Sequence, residues 1–422
     1  MALRFRKLST GKIDYNMRIF ALYGILYETA LNFYKPFSVK FLERIGGSEL
    51  EIALINALPG LVTLIAILPG ALWLRRSEDT QLTTARLILF GRWFLFAMAF
   101  IPFLPPQYRA FGFLALFTLM CIPDAIYQTS YQSFIGVLFE PRARANAIGM
   151  RNKLTVPALT AVTLLSGNIL TLVPKTDEQR LFIYQIFFGL AFFFGVMEYK
   201  AFKKFKVAKK DAGFARSSGR EPLKPQVIKI LSNKQFRFFA LCSLGFHFGW
   251  HMGWPLFNIY MIKTLGANEL WLAVISVASA ITMFFGYSFW SRQIEKRGNS
   301  FVLPICTFGM ALTPLMYAWS PNLYILLPTA LISGFFTAGT LSVTLGALLE
   351  ATPQDNRVMY IAVYNVLINL SLATAPMLGH YFFELKGIVF ALYMTGLFRF
   401  LGTLLFFYRD RRIAKEKLGV CG

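Results

Sequence analysis

The stretch GGSELEIALI at residues 46–55 returns as GANELWLAVI at residues 266–275, keeping the first glycine, the Glu-Leu pair, an alanine and an isoleucine. One short match in an apolar chain carries little weight. Its neighbours decide the matter. Upstream, Glu28, Asn32 and Pro36 stand at the same spacing as His247, His251 and Pro255. Downstream, Trp73, Arg75 and Glu78 correspond to Trp290, Arg292 and Glu295, and Arg144 precedes Asn152 by the interval that separates Arg357 from Asn365. These blocks recur in one order, at offsets between 213 and 220 residues. Self-similarity at a fixed period means that the chain is one unit built twice.

Working outward, each copy consists of long apolar runs. They fall at 17–39, 50–74, 84–104, 110–138, 153–173 and 181–203, and resume at 236–263, 270–292, 301–319, 323–349, 358–381 and 387–408. Each is long enough to cross about 30 Å of hydrocarbon as a helix. No period-two alternation runs through them, and lipid forbids unpaired backbone, so strands are excluded. The expectation is an all-α integral membrane protein of about twelve transmembrane helices, arranged as two pseudo-symmetric six-helix bundles. The bundles span 1–203 and 236–422, and 204–235 is a polar linker with a short amphipathic helix.

Composition agrees. Hydrophobic residues make up 56% of the 422 and charged residues 15%, too little charge to cover a water-facing surface. Trp319, Tyr324 and Tyr408 sit at ends of apolar runs, where an aromatic belt meets the headgroups. The formal charge of +22 is spread over alternate loops and is not gathered on one domain, which speaks for anionic lipid and against nucleic acid. The leader (Arg4, Arg6, Lys7, Lys12), Arg76, Arg142, Lys296, Arg297, the lysine-rich 204–235 segment and the tail from Arg409 to Lys417 all fall on one side. Loops 105–109 and 320–322 on the other side carry few cations. Both termini are therefore expected in the cytoplasm, with the chain in a cell inner membrane and the N-terminal segment a leader to the first span. Cys121, Cys242, Cys306 and Cys421 lack paired spacing and read as small hydrophobes.

The repeated blocks also carry a family likeness. The chain resembles the major facilitator superfamily over nearly its whole length. That family's motif after the second helix of each half, G-x-x-x-D-R-x-G, has a variant here in Ser291-Arg292-Gln293-Ile294-Glu295-Lys296-Arg297-Gly298. The first half keeps Arg75 and Glu78 but has Asp79 and Gln81 where the second basic residue and the glycine belong. The glycine-rich helix-5 motif of the family's antiporters is missing from TVPALTAVTLLSGN (155–168). The resemblance implies two six-helix bundles about a central cavity that opens alternately to each side, with helices 1, 4, 7 and 10 lining it.

Ionisable groups inside a span are costly, so each needs a reason. Glu28 lies near the centre of its span, as do Asp124, His247 and His251. Four-residue spacing puts Glu28 with Asn32, Asp124 with Gln128, and His247 with His251 on common helical faces. Pro36, Pro123 and Pro255 are expected to kink these helices, and Thr337, Thr340 and Ser342 form a small-residue wall. The expected substrate and proton site comprises Glu28, Asn32, Asp124, Gln128, His247, His251, Trp254 and Asn369, with Glu28 or Asp124 carrying a coupling proton. An interhelical network that only fixes packing is the structural alternative. Arg92 and Arg399 are expected to snorkel towards the nearer membrane face, and Tyr364 either to pack or to line the path with Asn365 and Asn369. Arg75, Glu78, Arg144, Arg292, Glu295 and Arg357 are expected either to gate the cytoplasmic side or to anchor helix ends to lipid phosphates.

The resulting expectation is a monomeric secondary transporter of a small solute, proton-coupled, with no cofactor. No phosphate-cradling G-x-x-x-x-G-K-[ST] occurs, so ATP is not the energy source, and no hydrolytic triad or redox motif marks an enzyme. Lipid or lysolipid transport by the same fold is the alternative. Divalent-metal transport and a transporter-like sensor stand further back.

Overall fold

The computed structural model describes residues 2–75, 77–139, 141–207, 223–353 and 357–417, and among these there is helix but no strand. In chain order the α-helices are α1 (Ala2–Asn32), α2 (Ser38–Arg44), α3 (Glu49–Arg75), α4 (Thr80–Met98), α5 (Pro106–Leu138), α6 (Pro141–Leu172), α7 (Asp177–Lys203) and α8 (Leu223–Ser232), followed by α9 (Lys234–Ile259), α10 (Glu269–Ala318), α11 (Leu323–Ala351) and α12 (Arg357–Lys417).

Local chemistry fixes where they begin. The repeated decapeptide is a helix start in both copies. Gly46 and Gly266 take φ of +95° and +66°, a region closed to most side chains, and turn the chain into α3 and α10. Ser48 then caps α3 in a reciprocal box: its N–H donates to Glu51 Oε2 at 2.9 Å, while the Glu51 N–H donates to Ser48 Oγ at 3.3 Å. Asn268 does the equivalent for α10, accepting from the Trp271 N–H at 3.0 Å. Asp79, Asn233 and Asn322 cap α4, α9 and α11 in the same manner.

Eight helices among the described residues are long and apolar enough to cross a membrane. Two of these, α10 and α12, are each a merged pair of helices broken at Gly298 and at Lys386–Gly387. Gly298 is the motif glycine. In the first half, where Gln81 replaces it, the chain instead opens a short non-helical stretch that Asp79 closes by accepting from the Leu82 N–H at 2.8 Å. Large apolar side chains face outward along these helices, Phe285 at 67% and Phe182 at 61% exposure among them. That surface suits acyl chains and not water. The protein is a multi-pass membrane protein.

The chain folds as two compact units, one of residues 1–47 and 62–219, the other of 48–61 and 220–422. The first has an aromatic core in which Phe20, Tyr23, Phe134 and Phe202 are almost fully buried. The second is centred on Phe236, Phe239, Phe246, Leu303 and Val343. The expected amphipathic linker helix is α8, which buries Ile230 in that second core while Ile228 and Lys229 stay exposed. Pro123 and Pro255 lie inside α5 and α9. Pro36 does not kink a helix. It sits in a single 3-10 turn (Lys35–Phe37) after α1 has ended at Asn32, where its fixed φ starts a turn.

Candidate functional site

Each unit holds buried polar side chains. In the first, α1 presents Glu28 and Asn32 one turn apart, and the Asn32 amide donates to the Glu28 carbonyl at 2.8 Å. The Glu28 carboxylate lies 3.4 Å from Arg151 Nη2 on α6, and Thr163 Oγ1 on the same helix lies 3.0 Å from Asn32 Oδ1. Glu28 is thus an acid matched by one cation.

A second ionic group binds α4, α5 and α7 together. Arg92 of α4 donates from Nε and Nη2 to Glu198 Oε2 of α7, both at 3.0 Å, and its Nη1 lies 3.9 Å from Asp124 Oδ1 of α5. The side chains of Arg92 and Glu198 are 3% and 0% exposed, and that of Asp124 is 32% exposed. The other Glu198 oxygen is sealed and takes no hydrogen bond among the described residues. Space for the guanidinium comes from Gly195, one turn before Glu198: a Cβ there would stand 2.5 Å from Arg92 Cγ. Tyr27 lies under the guanidinium at 5.8 Å, and the hydroxyls of Tyr23 and Tyr127 hydrogen-bond to each other close by. One cation therefore faces two carboxylates. If both were ionised, the group would hold a surplus negative charge in a medium that penalises it. Asp124 is the one partly open arm of the group.

In the second unit, α9 presents His247 and His251, with ring centres 5.7 Å apart. His247 Nδ1 stands 2.8 Å from the Ser243 carbonyl, which can only accept, so Nδ1 carries the proton. Ser371 donates its hydroxyl to the Ile368 carbonyl and accepts from His251 Nδ1 at 2.7 Å. Both neutral rings then present Nε2 as an acceptor, and no hydrogen bond reaches either Nε2 among the described residues. Tyr364 does more than pack: its hydroxyl lies 2.6 Å from Ser243 Oγ. Trp254 stands edge-on to His251 at 4.9 Å and is 37% exposed.

Arg399 was expected to snorkel and does not. It is 1% exposed and donates to the backbone carbonyls of Gly249 and Trp250 on α9 and of Met310 on α10, at 3.1, 3.1 and 2.9 Å, with the Phe257 ring 5.2 Å from its guanidinium. Among the described residues no acid pairs with it. Arg92 is likewise locked inward. In both cases interior partners outbid the membrane surface: a carboxylate for Arg92, and backbone carbonyls for Arg399, of which Met310's lies four residues before Pro314 and so lacks a helical donor. Glu198 and Arg151 escaped sequence reading. Glu198 stands in an otherwise apolar run, FFFGVMEY (192–199), and that was the available signal.

The remaining expected residues are more scattered. Gln128 is exposed, and Asn369 donates to the carbonyl of Asn365 in its own helix at 2.9 Å. Of the gate set, the side chains of Arg75, Arg144 and Arg357 lie outside the described residues, as does Arg76 altogether. Glu78, Arg292 and Glu295 are exposed, and no ion pair joins Arg292 to Glu295 among the described residues. No group of three His, Cys, Asp or Glu side chains gathers to hold a metal among the described residues.

Residues 239–420 match the sequence profile of the Major Facilitator Superfamily. No curated protein matches the chain in sequence. Solved structures do match it in fold. A D-xylose–proton symporter superposes with a TM-score of 0.69 at 14% identity, over 92% of this chain and 96% of its own. A bacterial homologue of the human lysosomal transporter Spinster, inward-facing and unoccupied, gives 0.65 at 13% identity, over 96% and 98%. The nucleoside transporter NupG gives 0.65 at 11% identity, over 95% and 99%.

Proposed function

We infer that this chain, a member of the major facilitator superfamily, is a secondary transporter that moves a small polar solute by alternating access, with a proton as the coupling ion. Dividing α10 and α12 at their breaks and adding α1 and α9 to the apolar helices gives twelve crossings, six in each sequence half. The lysine- and arginine-rich loops support a reading with both termini on the cytoplasmic side.

The observation that carries the coupling is the Asp124–Arg92–Glu198 group. Its charge balances when one carboxylate takes a proton, and the partly open Asp124 is the one able to do so. Protonated Asp124 releases Arg92 wholly to Glu198; ionised Asp124 draws it away. The two charge states favour different packings of α4, α5 and α7, which is what a coupling site requires. Glu28, already matched by Arg151, serves as a second polar contact beside Asn32. The imidazole Nε2 atoms suit a solute that donates hydroxyl or amine hydrogens, and Trp254 can cover an apolar face of it. The xylose and nucleoside transporters of this fold carry such solutes.

The test is uptake into proteoliposomes. Asp124→Asn is expected to abolish accumulation driven by a proton gradient while sparing solute counterflow. Glu28→Gln is expected to weaken both modes without uncoupling them. Proton-driven accumulation at the wild-type level in Asp124→Asn removes Asp124 from the role, and lipid redistribution without solute flux would replace the solute reading altogether.

A further inference from the structure

At the end of the second unit where α9 begins, a cavity of about 1090 Å³ is lined by Lys234, Arg237, Arg297, Arg409 and Arg412, with Glu350 as its one acid. Glu350 is engaged, accepting from Asn299 Nδ2 at 2.8 Å. Asp410 lies 3.5 Å from Arg409. Five cations thus line this one concavity against a single lining carboxylate. The backbone adds to it. Lys234 and Gln235 are the first residues of α9, while Asn299 and Ser300 start the helix that follows the break at Gly298, and all four line the cavity. Helix starts carry partial positive charge and free N–H groups.

All five line one concavity, although Lys234, Arg237, Arg297 and Arg412 are also exposed. Arg409 is 4% exposed, and its guanidinium is held over Phe239 at 5.0 Å. Arg412 lies over Phe238 at 5.7 Å and Arg297 over Phe301 at 5.1 Å. A ring beneath a guanidinium fixes its plane while the N–H edge binds oxygens, the geometry that suits phosphate. Along α9, Lys234, Phe238 and Leu241 follow at steps of four and three residues, so one face passes from cationic to apolar. Leu241 is 57% exposed in what is otherwise an acyl-facing position.

We propose that this cavity binds a phosphate group, carried by an anionic phospholipid whose chains lie along the Phe238–Leu241 face. Basic recesses between transmembrane helices are where anionic headgroups are held. A free phosphate or phosphorylated solute shares the headgroup chemistry but leaves the apolar face unused. This inference is independent of the transport reading: it concerns a different cluster, and its test measures no flux.

The purified full-length protein in detergent is titrated with phosphatidylglycerol, with phosphatidylcholine and with inorganic phosphate, reading thermal stability and retained lipid by native mass spectrometry. Phosphatidylglycerol is expected to bind and stabilise, and phosphatidylcholine is not. Arg237→Gln with Arg412→Gln should weaken phosphatidylglycerol binding roughly tenfold or more. Arg297→Gln, an exposed position, gives a second variant that does not depend on the first one folding. Lys229→Gln with Lys296→Gln removes two exposed cations of the same unit that do not line the cavity, and should change little. Saturable binding of inorganic phosphate with the same dependence on Arg237 and Arg412, and no added effect of lipid, would support the phosphate site and overturn the lipid as its source. Equal losses in the Lys229/Lys296 control, or unchanged binding in both arginine variants, would overturn the site.

Discussion

Among single residues, Glu198 sits under the strongest constraint. Its partner Arg92 is 3% exposed, so removing the carboxylate charge leaves the guanidinium only Asp124, 3.9 Å away, as a counterion. Glu198→Gln is expected to lower unfolding stability by about 1.5–3 kcal/mol, the loss of a charged hydrogen-bond partner. Arg92→Met with Glu198→Met should recover much of that loss, since the one charge it leaves without its cation, Asp124, is partly open. Chemical unfolding of the purified variants decides it: equal loss in the single and double variants would mean that packing, not charge, is at stake. This pair also marks where sequence reading stopped. Arg92 was noticed, but its distance along the span made the surface look reachable. What fixed it inward was an acid more than a hundred residues away and a glycine that cleared its path, neither of which is local information.

Among the elements, the breaks in α10 and α12 do the most to shape the chain. Gly387 takes φ +81° and ψ 176°, a region essentially reserved for glycine. Gly387→Ala should therefore cost about 1–3 kcal/mol. Gly189, in the body of α7 with nothing within 4 Å of an added Cβ, provides the contrast. Gly189→Ala should be neutral or stabilise by about 0.5–1 kcal/mol, through lower backbone entropy in the unfolded chain. Equal melting temperatures for the two variants would refute the assignment of strain to the break. At this scale the sequence was highly legible. Apolar run length gave α3 and α11 nearly end to end, and the two copies of the decapeptide pointed to the paired helix starts, because hydrophobic length and capping are local properties. Pro36 shows the limit: a proline four residues after Asn32 reads equally as a kink or as a stop, and only the helix end at Asn32 separates them.

On the proposed reading the whole molecule divides its labour. The first unit holds the carboxylates, with Asp124 proposed to exchange a proton, and the second holds the imidazoles. The duplication laid down equivalent positions, Glu28 with His247 and Asn32 with His251, and the two copies then took different chemistry. His251→Asn should accordingly raise the apparent KM for the solute about tenfold, as loss of one good hydrogen bond does, while the accumulation ratio set by the proton gradient stays the same. Asp124→Asn should do the reverse. Matching phenotypes for the two variants in paired uptake and counterflow assays would show that the division is false. The candidate polar residues were legible as misfits in apolar runs. Which of them pair was not, since Arg151 and Ser371 are unremarkable until folding sets them beside Glu28 and His251.

Arg399 has a mechanical consequence. One side chain, anchored in α12, grips carbonyl oxygens of α9 and α10 at three points. Sliding any of these helices past the others by even a single turn would strip an ionic donor of its acceptors in oil. That clamp obliges the three to travel as one slab, so any flexing of this unit must fall outside it.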